Sequence, residues 1–265
     1  MAPLLALAPH RSTTAGLLAG AARDRGTEVV ILPRDGVPDR LRERGDAHYY
    51  GGPHFAASVA GPLGVTLLEP DEGWLDVLPY AFTGRGIRSV RLSEARRGTE
   101  PRFVKPPTDK SFPAAVYEDG SALPEPPHPD DPMVQVCEVV TWAAEFRLFL
   151  LDGEIRTGSR YATFGRLDPA PLPGHPDEAA IRDFARRLAE ACGDSLPGGV
   201  VVDVGRMRGT GGRDTERWAV VEANMAWFSN VYAADPAGAL DVVLRAAGPH
   251  GRVRARDMRF RRSGV

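Results

Sequence analysis

Two runs of strand-forming residues, Val200 to Met207 and Arg217 to Met225, carry carboxylates among valines and alanines, and no other feature restricts the fold as much. Between them, Arg208 to Glu216 holds three glycines and several charges, which predicts an antiparallel hairpin with a long loop. Pairing centred on that loop puts Asp203 opposite Val221 or Glu222. Glu222 and Asn224 share a face of their strand because the side-chain period is two, so Asp203, Glu222 and Asn224 can converge. Burying carboxylates in such strands costs several kcal/mol each unless a cation or strong donors compensate. Two readings are open: the trio holds Mg²⁺ or Mn²⁺ through hard oxygen ligands, or Asp203 and Glu222 are half-exposed strand ends paired with Arg206 or Arg147.

The rest of the chain fits a mixed α/β protein. Leu4 to Ala8, Ser12 to Arg25 and Glu28 to Leu32 read as strand, capped helix and strand, the alternation of a small open parallel sheet. Tyr49 to Val59 reads as a loop entering a helix, Val65 to Leu68 as a strand, and Gly73 to Leu78 as a helix. The arginines Arg85, Arg88, Arg91, Arg96 and Arg97 read as a solvated face leading to a boundary at Thr99. Beyond it, Arg102 to Lys105 and Ala114 to Tyr117 are short strands, Leu123 to Pro132 a proline-rich linker, and Met133 to Val140 a strand ending near a loop at Trp142. Glu145 to Leu151 and Glu154 onward form a hairpin about Asp152-Gly153, a strong turn signal. From Asp177 a helix places Ile181, Phe184, Ala185, Leu188 and Cys192 on one stripe. A last helix follows Asp235-Pro236, and the tail from Arg252 to Arg262 is a final strand or a solvated extension.

Composition narrows the function. With 33 basic and 35 acidic residues the formal charge is −2, which argues against a sequence-independent grip on nucleic acid or an anionic membrane. Two cysteines make no disulfide framework, there is no signal-like N-terminus, and no stretch approaches a membrane span; a cytoplasmic protein is expected. Lysine occurs only at Lys105 and Lys110, so 31 of the 33 basic residues are arginine. A chain that uses arginine for almost every surface cation retains lysine where a compact point charge is needed, as at a phosphate.

Phe103-Val-Lys-Pro106, Val134 to Val140, Glu145-Phe-Arg-Leu-Phe-Leu-Leu-Asp-Gly-Glu-Ile155, Val202-Asp-Val204 and Val221-Glu-Ala-Asn224 together resemble the ATP-grasp superfamily, in order, over about Arg102 to Arg245. Lys105 and Lys110 with Arg147 are similar to the clade named for one arginine and two lysines. The resemblance implies an ATP-grasp fold, α/β and α+β: a small N-terminal α/β domain over residues 1–99 and an ATP-grasp domain over 100–265. Within the latter, 100–140 forms a small central subdomain and 141–265 carries the metal, the two enclosing ATP.

By that resemblance Lys105 contacts ATP phosphates, and Glu138, Val139 and Val140 form the hinge at the adenine edge. Glu145 belongs with the nucleotide contacts, Arg147 and Arg160 face the transferred phosphoryl group, and Asp203, Glu222 and Asn224 hold Mg²⁺. The usual glycine-rich phosphate loop is replaced by Thr108 to Phe112, so Lys110 must supply phosphate cover. The implied activity is an ATP-dependent carboxylate–amine ligase working through an acyl phosphate. Its substrates are a small carboxylate and an amine, such as amino acids or peptides, with no nucleic acid or membrane partner. A kinase-like phosphotransferase and a nucleotide-binding module without turnover are the alternatives. The oligomeric state is open, a homodimer being one option.

Overall fold

The computed structural model describes residues 2–106, 111–126, 130–208 and 216–263. At the N-terminus β1 (Leu4–Leu7), α1 (Thr13–Asp24), β2 (Glu28–Ile31), β3 (Ala47–Tyr50), α2 (Pro53–Leu63) and β4 (Val65–Leu67) follow in turn. β1 lies between β2 and β3 in a parallel sheet. Ser12 caps α1 by accepting from the Ala15 N–H at 3.1 Å. β3 replaces part of the loop expected around Tyr49, because all four of its residues are buried.

Next come α3 (Tyr80–Thr83), β5 (Ile87–Arg91), α4 (Leu92–Ala95), β6 (Arg102–Lys105), β7 (Ala115–Tyr117) and β8 (Met133–Cys137). The order β5-β8-β6-β7 makes a small antiparallel sheet. The expected boundary at Thr99 therefore falls inside this sheet: β5 pairs along its length with β8, from Ile87 opposite Cys137 to Arg91 opposite Met133. The helix expected over Gly73 to Leu78 is one 3₁₀ turn, Trp74–Val77. Arg85, expected on a solvated face, is 6 % exposed.

The large sheet has the order β11-β10-β9-β12-β13, from β9 (Thr141–Leu151), β10 (Glu154–Thr163), β11 (Arg166–Pro171), β12 (Gly199–Arg208) and β13 (Glu216–Asn224). Trp142 belongs to β9 rather than to a loop. Asp152 and Gly153 both take positive φ, 51° and 87°, as a two-residue hairpin turn requires. β11 has no counterpart in the sequence reading, since its prolines and exposed leucine hide it. α5 (Glu178–Cys192) covers one face of the sheet, burying Ile181, Phe184, Ala185 and Leu188 against Phe146, Leu148, Val202, Val204 and Val220. α6 (Pro236–Ala246) joins the other face to the N-terminal unit: Phe149, Val201, Leu240 and Val243 share a core with β1, α1 and β3. Asp235 caps α6 through the Gly238 N–H at 2.8 Å.

β14 (Ala247–Pro249) pairs with β4, returning the C-terminus to the first unit. The arginine-rich tail is neither strand nor free extension. It forms 3₁₀ turns over His250–Arg252 and Ala255–Phe260, held by fully buried Asp257, which accepts from the Gly198 N–H at 2.8 Å and from Arg245. Among the described residues, no helix is long and apolar enough to cross a membrane.

Candidate active site

A single β-bulge decides which way the carboxylates of the hairpin point. From Arg208↔Glu216 to Val204↔Val220 the two strands pair one for one, and the next pair is Asp203↔Glu222, so Val221 is an extra residue. Below the bulge Trp218 and Val220 pack on the α5 side; above it Ala223 does. The extra residue has thus exchanged the two faces of β13, since a one-residue slip reverses every side chain. Without it Glu222 and Asn224 would face the core under α5. With it both lie beside Asp203, and Val201↔Asn224 and Val202↔Ala223 continue the new register.

On this face stand Glu145 and Arg147 from β9, Ser159 from β10, Asp203 from β12, and Glu222 and Asn224 from β13, linked by the pairs Ser159↔Arg147, Asp203↔Arg147 and Asp203↔Glu222. Arg147 grips fully buried Asp203 with both arms of its fork, Nε to Oδ1 at 2.9 Å and Nη2 to Oδ2 at 2.7 Å. Burial pushes the Asp203 carboxyl above its ordinary value, against the pull of Arg147. Burial would lower Arg147, but Asp203 overrides it and raises the guanidinium.

The other cation comes from the small sheet. Lys105, at the end of β6, reaches across to Glu222, Nζ to Oε2 at 3.0 Å, while the Asn224 amide donates to Glu222 Oε1 at 2.9 Å. Burial alone would raise Glu222; Lys105 and Asn224 hold it below its ordinary value. The Asn224 amide nitrogen is also 3.4 Å from Asp203 Oδ2, so the three proposed metal residues form one connected group. Among the described residues no three His, Cys, Asp or Glu side chains form a metal cluster; two carboxylates and an amide are a lean, hard-oxygen donor set. That chemistry fits Mg²⁺, which keeps several waters and takes few protein ligands. Glu222 is the more open member, its side chain 35 % exposed, whereas both oxygens of Asp203 are engaged by Arg147.

Glu145 is half-buried, and that desolvation raises its carboxyl; it accepts from the Tyr161 hydroxyl at 2.8 Å. Tyr161 stacks on Tyr232, ring centroids 5.4 Å apart at 16°, and the Arg147 guanidinium lies 5.6 Å and 5.3 Å from the two rings. Tyr232 holds this place with φ at 51°, a strained backbone for a non-glycine residue. Tyr161 escapes the sequence reading because the irregular pairing between Arg160 and Ala162 breaks the alternation that would have marked it.

Arg160 is not brought to this group. It lies opposite Phe146, on the α5 side, and binds Asp168, Nη2 to Oδ2 at 2.8 Å, and the His175 ring at 3.3 Å. Lys110 lies outside the described residues. Glu138, Val139 and Val140 connect β8 to β9, hence the small sheet to the large one. Glu138 is fastened to Gly86 twice: its N–H donates to the Gly86 carbonyl at 3.1 Å, and its Oε2 accepts from the Gly86 N–H at 2.8 Å.

A four-stranded antiparallel sheet joined to a larger sheet through residues 138–140, with a cation from each meeting an acid–amide group, fits an ATP-grasp fold. The profile of the ATP-grasp domain, family 2 of the clade named for one arginine and two lysines, matches residues 82–242, and the chain belongs to that family. The match begins just before β5, in agreement with the strand pairing. Among solved structures, the RimK domain protein ATP-grasp from Sphaerobacter thermophilus DSM 20745 is similar with a TM-score of 0.57 and 21 % identity, over 92 % of this chain and 100 % of that one. D-cycloserine synthetase DcsG is similar with a TM-score of 0.55 and 14 % identity, over 91 % and 98 %. At these identities the likeness concerns the fold. Comparison with curated proteins finds no match.

Proposed function

We propose that this chain is an ATP-dependent carboxylate–amine ligase that forms an amide or peptide bond through an acyl phosphate and releases ADP and phosphate. The supporting observation is the meeting of Lys105 and Arg147 with Asp203, Glu222 and Asn224 on one face, under the seam between the two sheets. A carboxylate approaching a γ-phosphate sets anions together, and each like-charge pair at ~4 Å costs about 4 kcal/mol at an effective dielectric near 20. Lys105 and Lys110 would hold the phosphates, while Arg147 would face the transferred phosphoryl group and the acyl phosphate. Its guanidinium is steadied by Asp203 and by the tyrosine pair, so it meets the developing charge already oriented.

Glu138 to Val140 would line the adenine and Glu145 the nucleotide beyond it. Glu222 and Asn224, with Asp203, would hold Mg²⁺ or Mn²⁺, which when bound supplies charge neutralisation at the phosphates. Arg160, on the opposite face, is left out of this role. The substrates would be a small carboxylate and an amine, an amino acid or a peptide, and the two unpaired cysteines suit a cytoplasmic enzyme.

Hydroxylamine trapping tests the reaction class. With a carboxylate that stimulates ADP release, hydroxylamine should yield a hydroxamate, because it captures an acyl phosphate. A stable phosphate ester with no hydroxamate would replace the ligase with a phosphotransferase. No ADP release with any carboxylate and amine would leave a binding module.

A further inference from the structure

Arg85 is a buried cation for which the proposed chemistry has no use. It is 6 % exposed, and burial lowers its affinity for the proton. Among the described residues no carboxylate pairs with it. Its fork is spent instead on main-chain carbonyls: Nη1 donates to Thr83 O at 3.0 Å and to Val220 O at 2.7 Å, and Nη2 to Val221 O at 3.2 Å. A buried arginine given over to peptide oxygens is costly, and such a residue persists where the oxygens need a donor that nothing else supplies.

Those oxygens belong to the bulge. In a regular strand consecutive carbonyls point to opposite edges, so one side chain cannot reach both. Val220 and Val221 offer both to one guanidinium because the extra residue turns them the same way, on a strand at the edge of its sheet. The next residue is Glu222. Arg85 itself is held by stacking on Trp142, 5.0 Å from the ring centroid, and Trp142 lies across Gly205, where a Cβ would come within 2.4 Å of the indole. The neighbouring Gly86 is the residue tied twice to Glu138 of the hinge.

We infer that Arg85 is a positioning residue whose guanidinium fixes the Val220–Val221 bulge and so holds Glu222 and Asn224 on the face they share with Asp203, where Lys105 reaches Glu222 from the small sheet. It touches no reacting group; it acts through the main chain of β13. The inference rests on the reading of Glu222 and Asn224 as metal ligands, and it ties them to the hinge through the short segment from Thr83 to Gly86. Replacing Arg85 leaves the two bulge carbonyls, and that of Thr83, without this donor and lets β13 relax toward the regular register, in which Glu222 leaves the site.

The test compares wild type with Arg85→Met, which keeps most of the contact with Trp142 but has no donors, and with Arg85→Lys, whose ammonium cannot span both carbonyls as a planar fork does. Two measurements are made: binding of ATP without metal and of Mn²⁺ to the ATP complex, by calorimetry, and amide exchange across Val221 to Asn224 in the protein alone. The expected result for Arg85→Met is Mn²⁺ affinity reduced about 10–100-fold, the usual effect of removing support behind a ligand, with metal-free ATP affinity little changed. Amide exchange should quicken at Val221 to Asn224 and not in β9 or α5. Arg85→Lys should lie between, and guanidinium ion should restore part of the Mn²⁺ affinity to an Arg85→Ala protein.

Equal losses in ATP and Mn²⁺ affinity with exchange quickened throughout would show a general packing role and overturn the inference. So would unchanged Mn²⁺ affinity and unchanged exchange. If Arg85→Met does not fold, the same comparison in Arg85→Lys decides. If wild type binds no Mn²⁺ with ATP, the metal reading fails, and faster exchange confined to Val221–Asn224 still separates a bulge clamp from a packing residue.

Discussion

Lys105 and Glu222, 117 residues apart in the chain and on different sheets, form an ion pair at 3.0 Å. The lysine is one of only two in the sequence, and the glutamate is the residue that the bulge turns toward it. Replacing Lys105 by Met removes the small sheet's cation and leaves Glu222 with the Asn224 amide alone. Charge-assisted contacts of this kind are worth about 1.5–3 kcal/mol, so ATP affinity should fall roughly 10–100-fold. Lys110→Arg keeps a cation and should lower it much less. Calorimetric titration with ATP checks both, and equal affinities in all three proteins would dismiss Lys105 as a phosphate contact.

Arg147 and Asp203 should behave as one unit. Arg147→Met leaves Asp203, fully buried, without its compensating cation, and a broken buried pair typically costs about 3–5 kcal/mol. The pH dependence gives the sign. Burial already raises the Asp203 carboxyl above its unfolded value, and removing Arg147 raises it further. Such a group contributes stability below its unfolded pKa that is lost as pH rises through the folded one. The stability lost by Arg147→Met should therefore be larger at neutral pH than in mild acid, as measured by urea unfolding at the two conditions. A loss independent of pH would assign the effect to packing.

The sequence disclosed much of this site because its signals are chemical. Carboxylates in the valine-rich runs, a nearly lysine-free composition and the Asp152-Gly153 turn each report a local cost or need. The hairpin centred on its loop reproduces the pairing from Arg208↔Glu216 to Val204↔Val220; at Asp203 it leaves Val221 and Glu222 both open, and the structure selects Glu222 through a bulge that leaves no mark in hydrophobic alternation. Arg85 is hidden for a related reason: in a sequence with 31 arginines, nothing about it differs from the arginines around it. The make-up of the small sheet is likewise a tertiary fact. β5 joins β8 across a gap of more than forty residues, and no pattern within Ile87 to Arg91 states its partner.

His48 lends the N-terminal unit a pH response remote from the site. Its Nδ1 lies 2.8 Å from the Leu244 carbonyl and 3.2 Å from that of Ala247, joining β3 to the end of α6, and burial lowers its pKa despite those carbonyls. A histidine lowered in the folded state contributes stability that is present above its unfolded value and lost as pH falls through the folded one. Unfolding midpoints should drop between pH 7.5 and 5.5 in wild type. In His48→Asn, whose amide can still donate to a carbonyl, that part of the slope should vanish. An identical slope in the two proteins would exclude His48 as its source.

Gly205 is held small by Trp142. A Cβ there would stand 2.4 Å from the indole, far inside contact distance, with the ring itself pressed against Arg85 on its way to the bulge. Gly205→Ala must therefore push Trp142 aside, and forcing a methyl into a filled site costs about 1–3 kcal/mol. The cause can be separated from the general penalty of altering a buried strand by shrinking the obstacle. Trp142→Leu removes most of the ring, so Gly205→Ala should be nearly neutral in that background, giving a coupling of at least about 1 kcal/mol between two residues in direct contact. A double-mutant cycle by chemical denaturation measures it. Additive losses would mean that the glycine is required by the backbone of β12 and not by the tryptophan lying across it.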